Sequence, residues 1–236
     1  MPHFPKTATA FLLSTLAISA AAPAMAGDAQ QPSGFYFAGK GGPSLVETGT
    51  VKSSTGAGLV DDNGRNMIGA FGMAGGYTWL HEGLPLRTEL ELMNRTEVTF
   101  DGAPLLTGSG TNYALSSTVQ NVSLMLKGYW YFRSGNPEVW SPFISGGIGL
   151  SRNAVKGDLT TTGSGVVQHI DKTSYAPAWS IGTGASFYLG NHVVNDIELR
   201  YVDLGKADWG ITGGAPDLST KNVRGAELIF ALRYNF

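Results

Sequence analysis

The chain has 236 residues, no cysteine, 33 glycines, and 16 basic against 18 acidic side chains, for a net charge of −2. Without cysteine there is no disulfide scaffold. A near-neutral chain with 14% charged residues also lacks the basic stripe that nucleic acid demands.

The first element is a leader. Lys6 precedes an apolar run from Ala8 to Ala22, and Ala24-Met25-Ala26 then places small residues at the two positions a signal peptidase reads. This predicts a secretory signal peptide over 1–26, cleaved after Ala26, with Ala24 and Ala26 as its recognition residues. The apolar core is too short to anchor a mature protein, and after Gly27 no run of about twenty apolar residues follows. A linker over 27–33 leads into one domain, 34–236.

That domain contains eight stretches of alternating polarity: 34–45, 67–80, 86–100, 118–132, 142–153, 178–190, 194–204 and 223–236. A period of two is the mark of a β-strand with unlike faces. In the third stretch Leu86, Thr88, Leu90, Leu92 and Val98 alternate with Arg87, Glu89, Glu91, Arg95 and Glu97. In the seventh, Ile197, Leu199 and Tyr201 alternate with Asp196, Glu198 and Arg200. The eighth carries Leu228, Phe230, Leu232, Tyr234 and Phe236 on one face. This last pattern resembles the closing strand of bacterial outer-membrane barrels, which the assembly machinery reads.

Charge fixes which way the strands face. A Lys or Arg against lipid at mid-membrane costs roughly 2–4 kcal/mol, so the charged row is expected inside. The predicted lumen set is Lys40, Arg87, Glu89, Glu91, Arg95, Glu97, Lys127, Asp196, Glu198, Arg200, Glu227 and Arg233, six of each sign. Strands two, five and six offer mainly glycine, alanine and serine on the same parity, leaving room for long side chains from the other walls. Eight strands enclose only enough space for side chains to fill. The expectation is a self-paired plug, with trapped water or a narrow pore for ions or small solutes as the alternatives. A soluble lipocalin-like barrel would invert the pattern.

Connections alternate in length. The segments 81–85, 133–137 and 190–192 are tight turns rich in Gly, Asn and Pro, whereas 46–66, 101–117, 154–177 and 205–222 read as long loops. Short turns face the periplasm in such barrels and long loops face outward. Phe35, Phe37, Trp79, Trp130, Phe132, Phe187, Tyr234 and Phe236 fall at the short-turn ends and predict an interfacial aromatic girdle.

Together, Leu86-Arg87-Thr88-Glu89-Leu90-Glu91, Pro142-Phe143-Ile144-Ser145-Gly146-Gly147-Ile148-Gly149, Ile197-Glu198-Leu199-Arg200-Tyr201 and the terminal strand resemble the small eight-stranded outer-membrane barrels. That group contains OmpX, the OmpA transmembrane domain and the opacity-type surface proteins. The resemblance implies an all-β, eight-stranded antiparallel up-and-down barrel in the outer membrane of a Gram-negative cell. It also implies a scaffold whose loops act in adhesion, surface interaction or envelope integrity. No segment follows Phe236 here, so peptidoglycan tethering is not implied.

The expected partners are outer-membrane lipids and lipopolysaccharide, the assembly machinery, and a host or environmental surface ligand, with the chain as a monomer. Thr55-Gly56-Ala57-Gly58, Thr107-Gly108-Ser109-Gly110 and Thr162-Gly163-Ser164-Gly165 repeat a Thr-Gly-small-Gly unit, degraded at Thr212-Gly213-Gly214-Ala215. These read as hairpin tips on strands that extend above the membrane, with a shared binding rim as the sharper alternative. Tyr113, His169 and Trp209 are the candidate loop contacts. Some eight-stranded barrels modify lipid A, and His169 near Asp171 and Ser174 is the only outer histidine that could serve as a base. No catalytic site, metal or cofactor is expected; Asp61-Asp62-Asn63 lacks the spacing of a calcium loop.

Overall fold

The computed structural model describes residues 34–48, 51–53, 65–101, 105–106, 112–132, 140–162, 167–190, 192–208 and 218–236. Eight long antiparallel strands make the wall: β1 Gly34–Thr48, β2 Arg65–Thr78, β3 Leu86–Asp101, β4 Asn112–Tyr131, β5 Trp140–Thr162, β6 Val167–Tyr188, β7 Val193–Asp208 and β8 Leu218–Asn235. Each pairs with its chain neighbours, and β1 pairs with β8, so the sheet closes. Two short strands extend the rim: Val51–Ser53 on β8 and Leu105–Leu106 on β4.

Register sets the shape. Around the barrel, Phe37 faces Gly75, then Leu90, Leu126, Ile148, Trp179, Asp203 and Arg224 in turn, and Arg224 faces Glu47. One circuit climbs β1 from position 37 to position 47. With about 3.3 Å per residue and about 4.8 Å between strands, that stagger tilts the strands about 40° and gives each residue ~2.5 Å of height.

The outward row supplies an apolar band of matching height. On β5 it passes Trp140, Ile144, Ile148 and Leu150, all exposed, before turning charged at Arg152. Ten residues at that rise span roughly 25 Å, the height of the lipid-facing band in such barrels. The first outward charges on β1, β3 and β8 are Glu47, Glu97 and Arg224, ten or eleven positions above Phe37, above Leu86 (paired with Trp130) and above Tyr234. Phe35, Phe37, Trp130, Phe132, Tyr234 and Phe236 are exposed at the lower edge, with Phe187 beside them and Trp79 half-buried. The expected girdle is therefore present.

Lower turns are compact. Between β2 and β3 a single 3-10 turn, Leu80–Glu82, ends at Gly83, whose φ of 80° is left-handed and whose N–H donates to the Leu80 carbonyl at 3.2 Å. Between β6 and β7 the Leu189 N–H donates to the Val193 carbonyl at 2.9 Å.

Two expectations need correction. Most of 154–177, read as a loop, is strand: β5 continues to Thr162 and β6 begins at Val167, paired up to Thr160 and Val167. Near its top the wall is exposed on both parities, as at 171–173, so alternation fades there, while β-branched residues such as Val155, Thr160 and Thr173 still favour the ladder. The second concerns Glu97. The register of β3 against β4 slips between Arg95 and Val98, and Thr96 and Glu97 both face outward, exposed. A bulge reverses the parity beyond it, and Glu97 sits at the level where water begins.

Candidate functional site

The lumen is built from the inward row of every strand. The other eleven predicted charges, Lys40, Arg87, Glu89, Glu91, Arg95, Lys127, Asp196, Glu198, Arg200, Glu227 and Arg233, are all buried within it. Their room comes from the small-residue walls. A Cβ on Gly147 would lie 2.8 Å from Lys127 Cγ, and one on Gly184 would lie 2.7 Å from Phe143 Cζ.

Contacts run in layers up the barrel. At the short-turn end Asp196 of β7 accepts from Arg87 of β3, directly across the lumen, and from Arg233 of β8 at 3.3 Å. Ser186 adds a 2.6 Å hydrogen bond to the same carboxylate, and Arg233 also donates to Thr78 at 3.2 Å. The Arg87 guanidinium lies 3.7 Å from the Tyr129 ring centroid, with Tyr36, Tyr131 and Phe143 within 6 Å.

In the middle layer Glu89 accepts from Lys40, from Tyr129 at 2.6 Å and from Tyr36 at 2.7 Å. Lys40 also donates to Glu91 at 2.7 Å, while Lys127 holds both oxygens of Glu198 at 2.8 and 2.9 Å. Arg200 reaches from β7 across to both oxygens of Glu91 on β3, at 2.7 and 2.9 Å.

The upper layer is centred on Glu227. It accepts from Arg200 Nε at 2.7 Å, Arg95 Nε at 2.7 Å and the Ser44 hydroxyl at 2.9 Å. Arg95 continues to Asn121 at 2.8 Å and Ser123 at 2.9 Å, and Asn121 to Ser151 at 2.7 Å and Asn153 at 2.6 Å. Asn153 then donates to the carbonyls of Leu204 and Lys206, each at 3.2 Å. Those two residues belong to β7, two strands away, so the top of β7 leans in over the mouth. Gly205, with a φ of 71°, makes that bend. Contacts thus run from the short-turn end, through the Arg87 guanidinium on the Tyr129 ring, up to the β7 carbonyls at the mouth.

At the next inward positions the lining turns apolar: Val46, Val119, Val155, Val202, Leu204, Ala207 and Val223 are all buried. Excluding water from this level strengthens every interaction beneath it, and makes any unpartnered charge there costly.

Several of these residues escaped the sequence reading. Tyr36, Tyr129, Tyr131 and Phe143 face inward on strands whose other parity is also aromatic, so alternation alone did not single them out. Asp203 has the outward parity, yet it is buried at the β7 bend and holds Arg224 at 3.1 Å, Asn222 at 3.0 Å and the Gly205 N–H at 2.9 Å. The glycine two residues on was the available signal of a bulge.

The remaining predicted residues lie as follows. Leu228, Phe230, Leu232, Tyr234 and Phe236 form one exposed outward row, and the Phe236 N–H donates to the Phe35 carbonyl at 3.0 Å. His169 is exposed on β6 and pairs with Asp158 of β5. Ser174 has the opposite parity, its hydroxyl turned to the carbonyls of Asn153 and Lys206 at 3.5 and 3.4 Å, so His169, Asp171 and Ser174 do not assemble. The Tyr113 backbone pairs with Leu105 and Thr161. Ala24, Ala26, Trp209, the Asp61-Asp62-Asn63 run and the glycines of the four Thr-Gly units lie outside the described residues.

Comparison with known proteins agrees with this geometry. The outer membrane protein beta-barrel domain family matches residues 10–236. The outer membrane protein PagN of Salmonella typhimurium is 26% identical over 183 residues, covering 73% of this chain and 75% of that protein. Among solved structures, AlkL in DMPC lipid bilayers is similar at a TM-score of 0.51 and 18% identity, over 89% of this chain and 94% of that one. Neisserial surface protein A gives a TM-score of 0.46 at 21% identity, over 88% and 100%.

Proposed function

The chain belongs to the outer membrane protein beta-barrel domain family, and on that premise we propose that it is a closed surface barrel whose outer rim carries its function. In this reading the lumen is a structural plug, and the rim serves surface interaction, adhesion or envelope integrity. The observation that carries it is the run of contacts from Arg233 and Thr78, through Arg87 on the Tyr129 ring, to Asn153 and the Leu204 carbonyl. With an apolar level above it, such a lumen offers no continuous water path.

The wall rises well above the lipid band at β5. From Arg152 to Thr162, β5 continues about 25 Å beyond the lipid band, taking ~2.5 Å per residue, with β4 and β6 paired beside it. Membrane lipids surround the barrel below. Arg152 and Lys156 face outward just above the band, and exposed Tyr175 faces Arg152, which suits contact with lipopolysaccharide phosphates at that boundary. A host or environmental ligand would meet the higher residues, His169 among them, with Tyr113 and Trp209 as further candidates. Assembly would proceed through the machinery that reads the Phe236 strand, to a monomer.

The test expresses the chain on a non-adherent Gram-negative host and scores attachment to epithelial cells and to abiotic surfaces. Replacing residues 157–168 with an Asn-Gly turn should abolish attachment while leaving the barrel folded. Equal attachment by the trimmed chain sinks the surface reading. Steady conductance would favour the narrow pore, and modified lipid A dependent on His169 would favour the remote enzyme reading.

A further inference from the structure

We propose that the lower lumen binds one small monovalent anion of the chloride class between Arg87 and Arg233. The first observation is a charge count. With Glu97 displaced to the outer surface, the plug holds six cations and five carboxylates. The other buried carboxylate, Asp203, already has the rim residue Arg224 as its partner. Among the described residues one positive charge inside the barrel is therefore unmatched, and an unmatched buried charge is strongly penalised.

The second observation places the excess. Arg87 and Arg233 share the single carboxylate of Asp196. In the layer above, Glu89 gives its oxygens to Lys40, Tyr36 and Tyr129. Both guanidinium groups bond Asp196 and lie within 6 Å of the Tyr36 ring centroid, so they are neighbours in one layer.

The third is an orphaned donor on each. Arg87 Nε and Arg233 Nε are fully buried and have no hydrogen-bond acceptor among the described residues, and each side chain is 1% exposed. A water molecule could accept from these N–H groups but would leave the charge standing. A chloride-class anion meets both needs. An excess of one selects a monovalent ion, since a divalent one would only reverse the sign.

The mature chain, refolded in detergent micelles, is unfolded in urea in sodium chloride and, at equal ionic strength, in sodium gluconate, whose anion is too large to enter. The unfolding midpoint should be higher in chloride and should rise with chloride concentration. In Arg233→Met, which removes the excess charge at similar volume, the two salts should give the same midpoint. Crystals of the unaltered chain grown in sodium bromide should show an anomalous peak within hydrogen-bond reach of Arg87 Nε and Arg233 Nε.

Equal midpoints for the unaltered chain overturn the proposal, because they mean the lumen is neutral by other means, such as an unprotonated lysine. A chloride effect that survives Arg233→Met places the ion elsewhere and overturns it too. If that variant does not fold, the bromide peak decides: its absence rejects the site.

Discussion

Glu227→Gln tests the plug at its most connected carboxylate. Glu227 is completely buried and accepts from two arginines of different strands and from one serine. Arg95 reaches both of its oxygens, at 2.7 and 3.3 Å. Glutamine keeps the shape but loses the charge, and its amide nitrogen must point a donor at donors. Arg95 is then left with neutral acceptors only, the amide oxygen, Asn121 and Ser123, while Arg200 keeps Glu91. Breaking a buried ion pair on one side costs about 3–5 kcal/mol. Because Arg200 keeps a partner, the expected loss lies near the lower end, about 3 kcal/mol. Equilibrium urea unfolding of the barrel in phospholipid vesicles measures it. Adding Arg95→Met should recover part of the loss, since the stranded charge disappears with it. A loss under about 1 kcal/mol, the scale of an exposed pair, would refute the view that these contacts form in a water-excluded lumen.

Four further outcomes follow from the same geometry. Glu97→Ala should change stability by no more than about 0.5 kcal/mol, as an exposed site does, whereas Glu89→Ala should destabilise by several times that in the same urea titration. Leu126→Arg, at mid-band on the outward row of β4, should cost about 2–4 kcal/mol, and a variant as stable as the parent would mean the faces are assigned wrongly. Gly184→Leu should prevent folding, seen as loss of the heat-modifiable gel shift, because its Cβ would meet Ile197 O at 2.1 Å. Phe236→Ser should slow insertion in cells while refolding in detergent stays near the parent rate; equal slowing in both would remove the assembly role.

The sequence made the wall legible and left the interior wiring obscure. Alternation in β1, β3, β4, β7 and β8 pointed to twelve inward charges, and eleven of them are buried in the structure, because a lipid-facing charge is too costly to tolerate. Glu97 failed where a bulge shifted the count, and Asp203 was missed for the same reason at Gly205. A slip of one residue exchanges the two faces, and neither bulge interrupts the run of strand-forming residues. Which charge meets which was not readable at all. The Arg200–Glu91 and Arg87–Asp196 contacts cross the barrel between β3 and β7, and they depend on the ten-residue stagger that only the closed register reveals. The heights of β5 and β6 were underestimated because alternation fades near the top of the wall.

Single-channel recording of the refolded mature chain in a planar bilayer bears most directly on the account. A plug joined from Arg233 to Asn153 predicts a silent membrane, even where protease protection shows the barrel inserted and folded. Steady, reproducible openings, with ion selectivity altered by Arg87→Met or Glu198→Gln, would contradict it and make the lumen a pathway.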